Sequence, residues 1–208
     1  MIAPGKLPQD PFNLIITGVG GQGNVLASRM VGDMMTQLGF FVTIGETFGA
    51  SQRGGSVMSH LRISAKGVCS PLIPMSAGHM VVALEPIEAI RVLAAYGNPG
   101  VKVLCNTRPV PPVGVIRGSL TYPEMGELRG WVMELSKACW FIDATDKAME
   151  MGNPIFANVI SVGALSATGV LPLNREHFRQ VLGRKMGTPG KIEMNLAAFD
   201  AGSQMILG

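Results

Sequence analysis

Charge is scarce in this sequence. Asp, Glu, Lys and Arg together make up 15% of its 208 residues, against a usual share of about 25%, while apolar residues reach 47%. The formal net charge of +3 is mild and the basic residues do not cluster, so the footprint of a nucleic-acid binder is missing. A surface so short of charge is expected to be hidden, as in a subunit that buries much of its exterior against partners. Cysteine is scarce too: Cys69, Cys105 and Cys139 lie far apart with no C-x-x-C. That spacing excludes an iron–sulfur cluster or structural zinc held by this chain alone, and leaves each cysteine as a small apolar core group. There is no membrane-length apolar run. The longest, 159–173, is broken by serine, threonine and glycine and is shorter than the ~20 residues a spanning helix needs. The start, MIAPGKLPQD, lacks an apolar signal core, so a cytoplasmic location is expected. No repeat, low-complexity tract or linker divides the chain, and one domain over 1–208 is expected.

What is present reads as alternating strands and helices. The run 12–17 (FNLIIT) is apolar on both sides, as a strand buried on two faces requires. A glycine turn, 18–23 (GVGGQG), follows. Then 24–38 carries Val25, Ala27, Met30, Val31, Met34 and Leu38 at helical spacing, closed by Gly39. A strand at 41–45 completes a βαβ start. The segments 56–64 and 67–72 are expected to form a hairpin turned at Ala65, Lys66 and Gly67. Further strands are expected at 80–84, 101–105 and 140–142, with helices after Glu85-Pro86 and over 123–138. The three prolines between 107 and 118 predict an extended excursion. From Asp143 onward only helices are expected, over 145–151, 154–167, 175–186 and 191–205. The fold class is therefore α/β: a mostly parallel, doubly wound sheet with a hairpin and a C-terminal helical cap.

Two glycine-rich loops carry the candidate chemistry. In the first, Gly18, Gly20 and Gly23 fit G-x-G-x-x-G between a strand and a helix, and Glu46 ends the second strand where a ribose-binding carboxylate would stand. A dinucleotide site is one reading. Against it, Gly21 and Gln22 make the turn broad and polar, Glu46 enters another glycine loop, and no acid or base for hydride transfer follows. In the second loop Gly49, Gly54 and Gly55 bracket Ser51, Gln52 and Arg53, with Ser56 opening the next strand. Such a loop brings backbone N–H groups, an amide and a guanidinium close to something outside. It is not a P-loop, because Gly55 holds the lysine position, and not a nucleophile elbow, because Arg53 replaces the last glycine. His60, His79 and His177 stand in separate elements and read as structural. Asn106, at the end of a strand, joins the candidates.

The strings GVGGQG (18–23), ETFGASQRGGSVMSHLR (46–62), SPLI (70–73), LEPIEAIR (84–91), CNTRPVPP (105–112), FIDAT (141–145), NVISVGALSATGVLP (158–172) and NLAAF (195–199) come in one order. This series resembles the gamma-type subunit of 2-oxoacid:ferredoxin oxidoreductases, most of all its indolepyruvate branch (the small, beta, subunit). The resemblance implies a Rossmann-like unit packed on a catalytic core. It implies an enzyme that decarboxylates a 2-oxoacid on thiamine diphosphate with Mg. Electrons pass through iron–sulfur clusters to ferredoxin, and the acyl group goes to coenzyme A. The cofactors are expected on large partner subunits, since this sequence has neither cluster cysteines nor a G-D-G thiamine-diphosphate segment. The candidates for cofactor or partner contact are Gly18, Gly20, Gly21, Gln22, Gly23, Glu46, Ser51, Gln52, Arg53, Gly54, Gly55, Ser56 and Asn106, with no catalytic residue and no metal ligand assigned. The alternatives are a free-standing NAD- or flavin-binding oxidoreductase using the first turn, and a purely structural scaffold subunit.

Overall fold

The computed structural model describes residues 6–48, 55–185 and 188–208. In chain order they form β1 (Phe12–Val19), α1 (Asn24–Gln37), β2 (Phe41–Phe48), β3 (Ser56–Ser64), β4 (Met80–Ala83), α2 (Pro86–Tyr96) and β5 (Lys102–Asn106). Then come α3 (Val113–Ile116), α4 (Met125–Glu134), β6 (Ala138–Ile142), α5 (Ala144–Glu150), α6 (Phe156–Ala167), α7 (Arg175–Lys185) and α8 (Pro189–Leu207). The strands make one sheet in the order β2-β3-β1-β4-β5-β6. β1, β4, β5 and β6 are parallel neighbours, and β3 runs antiparallel to both β1 and β2.

Every residue of β1 is buried, because helices lie on both sides of it. On one face α1, α6, α7 and α8 cover Leu14, Ile16, Leu61, Ile63 and Leu104. On the other, α2 and α4 cover Ile15, Val81, Val103 and Cys105. The expected C-terminal helices are thus one of the two layers of a doubly wound sheet, lying beside α1.

The helix α6 is buried along almost its whole length, and its contact with α8 is backbone against backbone. A Cβ on Gly163 would stand 2.0 Å from the Phe199 carbonyl oxygen, and one on Gly202 would stand 1.9 Å from that of Ile160. Ser203 Oγ seals the contact by donating to the Gly163 carbonyl at 3.1 Å. These two glycines let the helix axes approach to a distance that no Cβ permits.

The hairpin differs from expectation. Its arms are β2 and β3, with Phe41 opposite Ser64 and Phe48 opposite Val57, and 67–72 is not a strand. The reason is that β3 is already paired on both edges, leaving no ladder for a further strand. Instead 65–78 folds over the α2 side of β2 and β3, where no helix lies. Arg62 Nη1 donates to the Ser70 carbonyl (3.3 Å) and the Ile73 N–H to His60 Nδ1 (3.4 Å). Gly45 admits the segment: a Cβ there would be 2.8 Å from the Pro71 carbonyl. The proline excursion after β5 contains one short helical turn, α3.

Candidate functional site

The carboxyl ends of β1, β4 and β5 meet at one place, and the order of the sheet reverses there. The chain leaves β1 toward β2 on one side and leaves β4 toward β5 on the other. An open α/β sheet leaves a crevice at such a point.

The first glycine turn closes this crevice by folding on itself. The Gln22 N–H donates to the Val19 carbonyl at 3.0 Å. The Gln22 side chain accepts from the Val19 N–H at 2.7 Å and donates to the Leu84 carbonyl at 3.1 Å. Gly18 is needed because a Cβ there would be 2.6 Å from Gln22 Oε1. The Gly20 N–H donates to the Gly55 carbonyl at 2.8 Å, tying the first glycine loop to the end of the second. Asn106 does for β5 what Gln22 does for β1. Its Nδ2 donates to the Leu84 carbonyl (3.1 Å) and to Thr145 Oγ1 (2.9 Å), and its Oδ1 accepts from the Thr145 N–H (3.3 Å). Both amides are consumed in stapling strand ends together on the Leu84 carbonyl.

Beside this clamp lies a buried pair of carboxylates. Glu85 caps α2 by accepting from the Glu88 N–H at 3.0 Å. It also accepts from the Val110 N–H at 3.3 Å and from the Tyr122 hydroxyl, so it pins the proline excursion. Burial pushes the Glu85 carboxyl above the usual carboxylate range, against the lowering effect of those hydrogen bonds. The Tyr122 hydroxyl is pushed up by burial and by this same acceptor. Glu88 accepts from Ser56 Oγ (2.5 Å) and from Arg91 Nε (3.3 Å), holding the start of β3.

Between these walls is a cavity of about 610 Å³, within the usual size range of small-molecule sites. Leu26, Leu84, Val110 and Ile155 give it apolar sides, and among the described residues no Asp, Glu, Lys, Arg or His lines it. Helix α1 opens onto it from Gly23, at φ +87°, with no side-chain cap and no acidic residue in its first turn. Among the described residues the Asn24 and Val25 N–H groups have no acceptor, as is usual in an uncapped first turn, and these two residues line a neighbouring opening with Val19, Gly20 and Val57. Asn158, on α6, is 3% exposed, and its amide stands against Gly23, where a Cβ would lie 2.3 Å from Nδ2. Asn158 Nδ2 reaches the Ile155 carbonyl at 3.4 Å, and Oδ1 is buried without a partner.

Residues 13–205 match the pyruvate ferredoxin/flavodoxin oxidoreductase family. The chain belongs to that family. By that membership it is an oxidoreductase subunit. It is 38% identical over 192 residues to indolepyruvate oxidoreductase subunit IorB of Pyrococcus horikoshii, covering 92% of this chain and 94% of that one. Its fold is similar to that of the gamma subunit of a keto/oxoacid ferredoxin oxidoreductase from Geobacter sulfurreducens. There the TM-score is 0.65 at 21% identity, over 94% of this chain and 98% of the other. It is also similar to part of a 2-oxoglutarate:ferredoxin oxidoreductase chain from Magnetococcus marinus (TM-score 0.73, 19% identity), covering 96% of this chain and 31% of that one.

Within this member of the family, Gly18, Gly20, Gly21, Gln22, Gly23, Gly55, Ser56 and Asn106 do come together around the strand ends. Glu46 does not. It pairs with Ser59 of β3, which pairs with Ile16 of β1. The inserted strand therefore moves Glu46 two strand spacings from the turn, about 10 Å. Ser51, Gln52, Arg53 and Gly54 fall outside the described residues. His60 is buried on the opposite face from α1, its ring edge-on to Tyr96 at 5.2 Å, and burial lowers its pKa, so it is neutral. Sequence reasoning gave no role to Asn158, Glu85, Thr145 or Tyr122. The first three sat inside strings that carry the family resemblance, but nothing local marks which member of a string turns toward a cavity.

Proposed function

We propose that this chain is the small, gamma-type subunit of a complex that oxidatively decarboxylates a 2-oxoacid to its acyl-coenzyme A, with ferredoxin as electron acceptor. An aryl pyruvate such as indolepyruvate is the favoured substrate. The observation that carries this reading is the 38% identity over nearly the full length of both chains to the Pyrococcus subunit. Thiamine diphosphate, Mg and the iron–sulfur clusters are assigned to large partner subunits. The cysteines here do not fit a cluster, since Cys69 lies between β3 and β4, Cys105 on β5 and Cys139 on β6. Among the described residues no three His, Cys, Asp or Glu side chains gather as a metal site.

In this reading the chain's own part in the reaction is to position an anion. The uncapped start of α1 offers oriented N–H groups and the positive end of a helix dipole between two neighbouring openings whose described lining carries no charged side chain, which favours phosphate. Coenzyme A is the reactant rich in phosphate, and this reading assigns to the 51–56 loop, with Arg53, a contact with that anion or with the partner as it enters. Burial pushes the Cys105 thiol up to about 12. It stays protonated and cannot take the acyl group in place of the coenzyme A thiol.

Affinity capture of the tagged chain at native expression tests the reading. A partner with iron–sulfur absorbance and coenzyme A-dependent turnover of indolepyruvate is expected, with the purified single chain colourless and inactive. Iron or thiamine diphosphate bound by the single chain overturns the assignment. Arg53→Ala should raise KM for coenzyme A or the 2-oxoacid about ten- to a hundredfold, the loss of one charge-assisted contact, while the complex still assembles. Failure to assemble would make Arg53 an interface residue. The free-standing dinucleotide alternative is weakened by the displacement of Glu46 from the turn. The scaffold alternative predicts full turnover from the partner alone.

A further inference from the structure

The strap of residues 65–78, which lies over the α2 side of β2 and β3, buries little of itself. Most of its residues are exposed, and Ile73, 4% exposed, is its one buried side chain. Hydrogen bonds hold it in place, and two of those at its middle and far end terminate on imidazole rings. The Ile73 N–H donates to His60 Nδ1 at 3.4 Å. Just past the strap, His79 Nδ1 accepts from the Asn13 N–H at 2.9 Å, while the Asn13 side chain donates to the Ala77 carbonyl at 2.8 Å. A ring nitrogen accepts only when it carries no proton, so both bonds require a neutral histidine.

The surroundings give a charged ring no compensation. His60 lies edge-on to Tyr96 of α2 and stands opposite Ile15 of β1 and Gly45 of β2. Glu46, opposite Ser59, belongs to the other face of the sheet. Arg62, on the same face as His60, is a cation already bonded to Asn13 Oδ1 (3.2 Å) and to the Ser70 carbonyl. The strap itself adds only the exposed Lys66 and the Cys69 thiol. Asp10 accepts from the Ala65 N–H at the strap's beginning (3.2 Å). His79 is tilted against Phe12 at 5.4 Å, and its carbonyl accepts from the Lys102 N–H. Burial lowers the pKa of both rings, and no carboxylate offsets it. His60 Nε2 is buried without a partner, so a protonated His60 would aim one N–H at another donor and the second at nothing.

We infer that His60 and His79 make the strap an acid-released cover: a proton on either Nδ1 turns an acceptor into a donor facing a main-chain N–H, and the strap lifts from the sheet, uncovering Ile73 and Met58. The opening is local, because the strap takes no part in the strand ladder. The contribution of the two rings to the closed state is complete above the ordinary histidine value of about 6.5. It is lost as pH falls through the lowered folded values.

Amide hydrogen exchange in the full chain, from about pH 7.5 to about pH 5, tests this above the ordinary carboxylate range. With the intrinsic pH dependence of exchange divided out, protection of the Ile73 and Asn13 amides should fall as pH drops. The fall should reach about tenfold per pH unit, one proton being taken up on opening. The Ile160 amide, inside the buried α6, should keep its protection. His60→Gln retains an acceptor and cannot titrate, so Ile73 should stay protected with no pH dependence, and His79→Gln should do the same for Asn13. His60→Phe keeps a ring beside Tyr96 and removes the acceptor, so Ile73 should exchange fast at every pH. If that variant does not fold, the two Gln variants provide the test. Flat protection in the wild type overturns the inference, as does a slope that survives in the double Gln variant. A parallel loss at Ile160 would mean that acid unfolds the whole chain, and the strap would be no separate device.

Discussion

Two sets of glycines in this protein look alike in the sequence and behave oppositely in the structure. Gly163 and Gly202 are glycine because the α6 and α8 backbones touch where a side chain would be, with 2.0 and 1.9 Å to the opposing carbonyl oxygens. Gly21 is glycine because of its φ of +105°, and a Cβ there would meet nothing within 4 Å. Gly23 belongs to both classes, with φ +87° and Asn158 Nδ2 at 2.3 Å from a Cβ position. The helical pair removes space until every neighbour is in contact. Around the turn, N–H groups and two buried amide oxygens, of Asn24 and Asn158, are without partners among the described residues. Glycine thus serves close packing at one place and backbone conformation at the other, and the surroundings decide which.

The sharpest way to break this comparison is to add one methyl group at each place. Gly163→Ala or Gly202→Ala forces two helices apart along a buried contact and should cost about 3 kcal/mol, read as a lowered denaturation midpoint. A loss below about 1 kcal/mol would mean that the helices are not held at this distance. Gly23→Ala should cost about 2 kcal/mol, combining left-handed strain with displacement of Asn158, and should weaken the proposed binding of an anion at the start of α1. Gly21→Ala is the control: strain alone, about 1–2 kcal/mol, with binding retained. Equal loss of binding in the two turn variants would show that the turn matters only through its conformation.

Asn106→Ala sharpens the contrast between engaged and free amides. It removes the bonds to Leu84 and Thr145 from a residue 2% exposed and should cost about 1–3 kcal/mol of stability. Asn158→Ala, whose oxygen is unpartnered, should cost less in the absence of ligand. If the two variants lose the same stability, Asn158 has a structural role like that of Asn106.

The smallest effect concerns Glu85. Its folded-state pKa is raised, mainly by burial. The stabilising contribution of such a group is complete below the unfolded carboxyl value of about 4.3 and is lost as pH rises through the folded value. Glu85→Gln does not titrate, so the stability of wild type relative to the variant should fall as pH rises from about 4 through the raised folded value. A difference that is flat with pH, or that grows, would mean that the hydrogen bonds to Tyr122 and Glu88 outweigh burial.

Much of this protein followed from local features of its sequence. The apolar run of β1, the helical spacing of α1 and the glycine and proline punctuation of the C-terminal helices placed the elements close to where they are, because strand and helix periods are properties of short segments. The order of the glycine-rich strings was enough to suggest the family. The neighbours of each strand were not legible. Both β2 and β3 alternate as half-buried strands should, but only the assembled sheet set β3 between β2 and β1, which moved Glu46 away from the turn and denied 67–72 a strand partner. Asn158 and Gly23 meet, and Gly163 and Gly202 become indispensable, only when α6 packs against α1 and α8. Such contacts join residues far apart in the chain, and their energies depend on distances of a few tenths of an ångström, which no local pattern encodes.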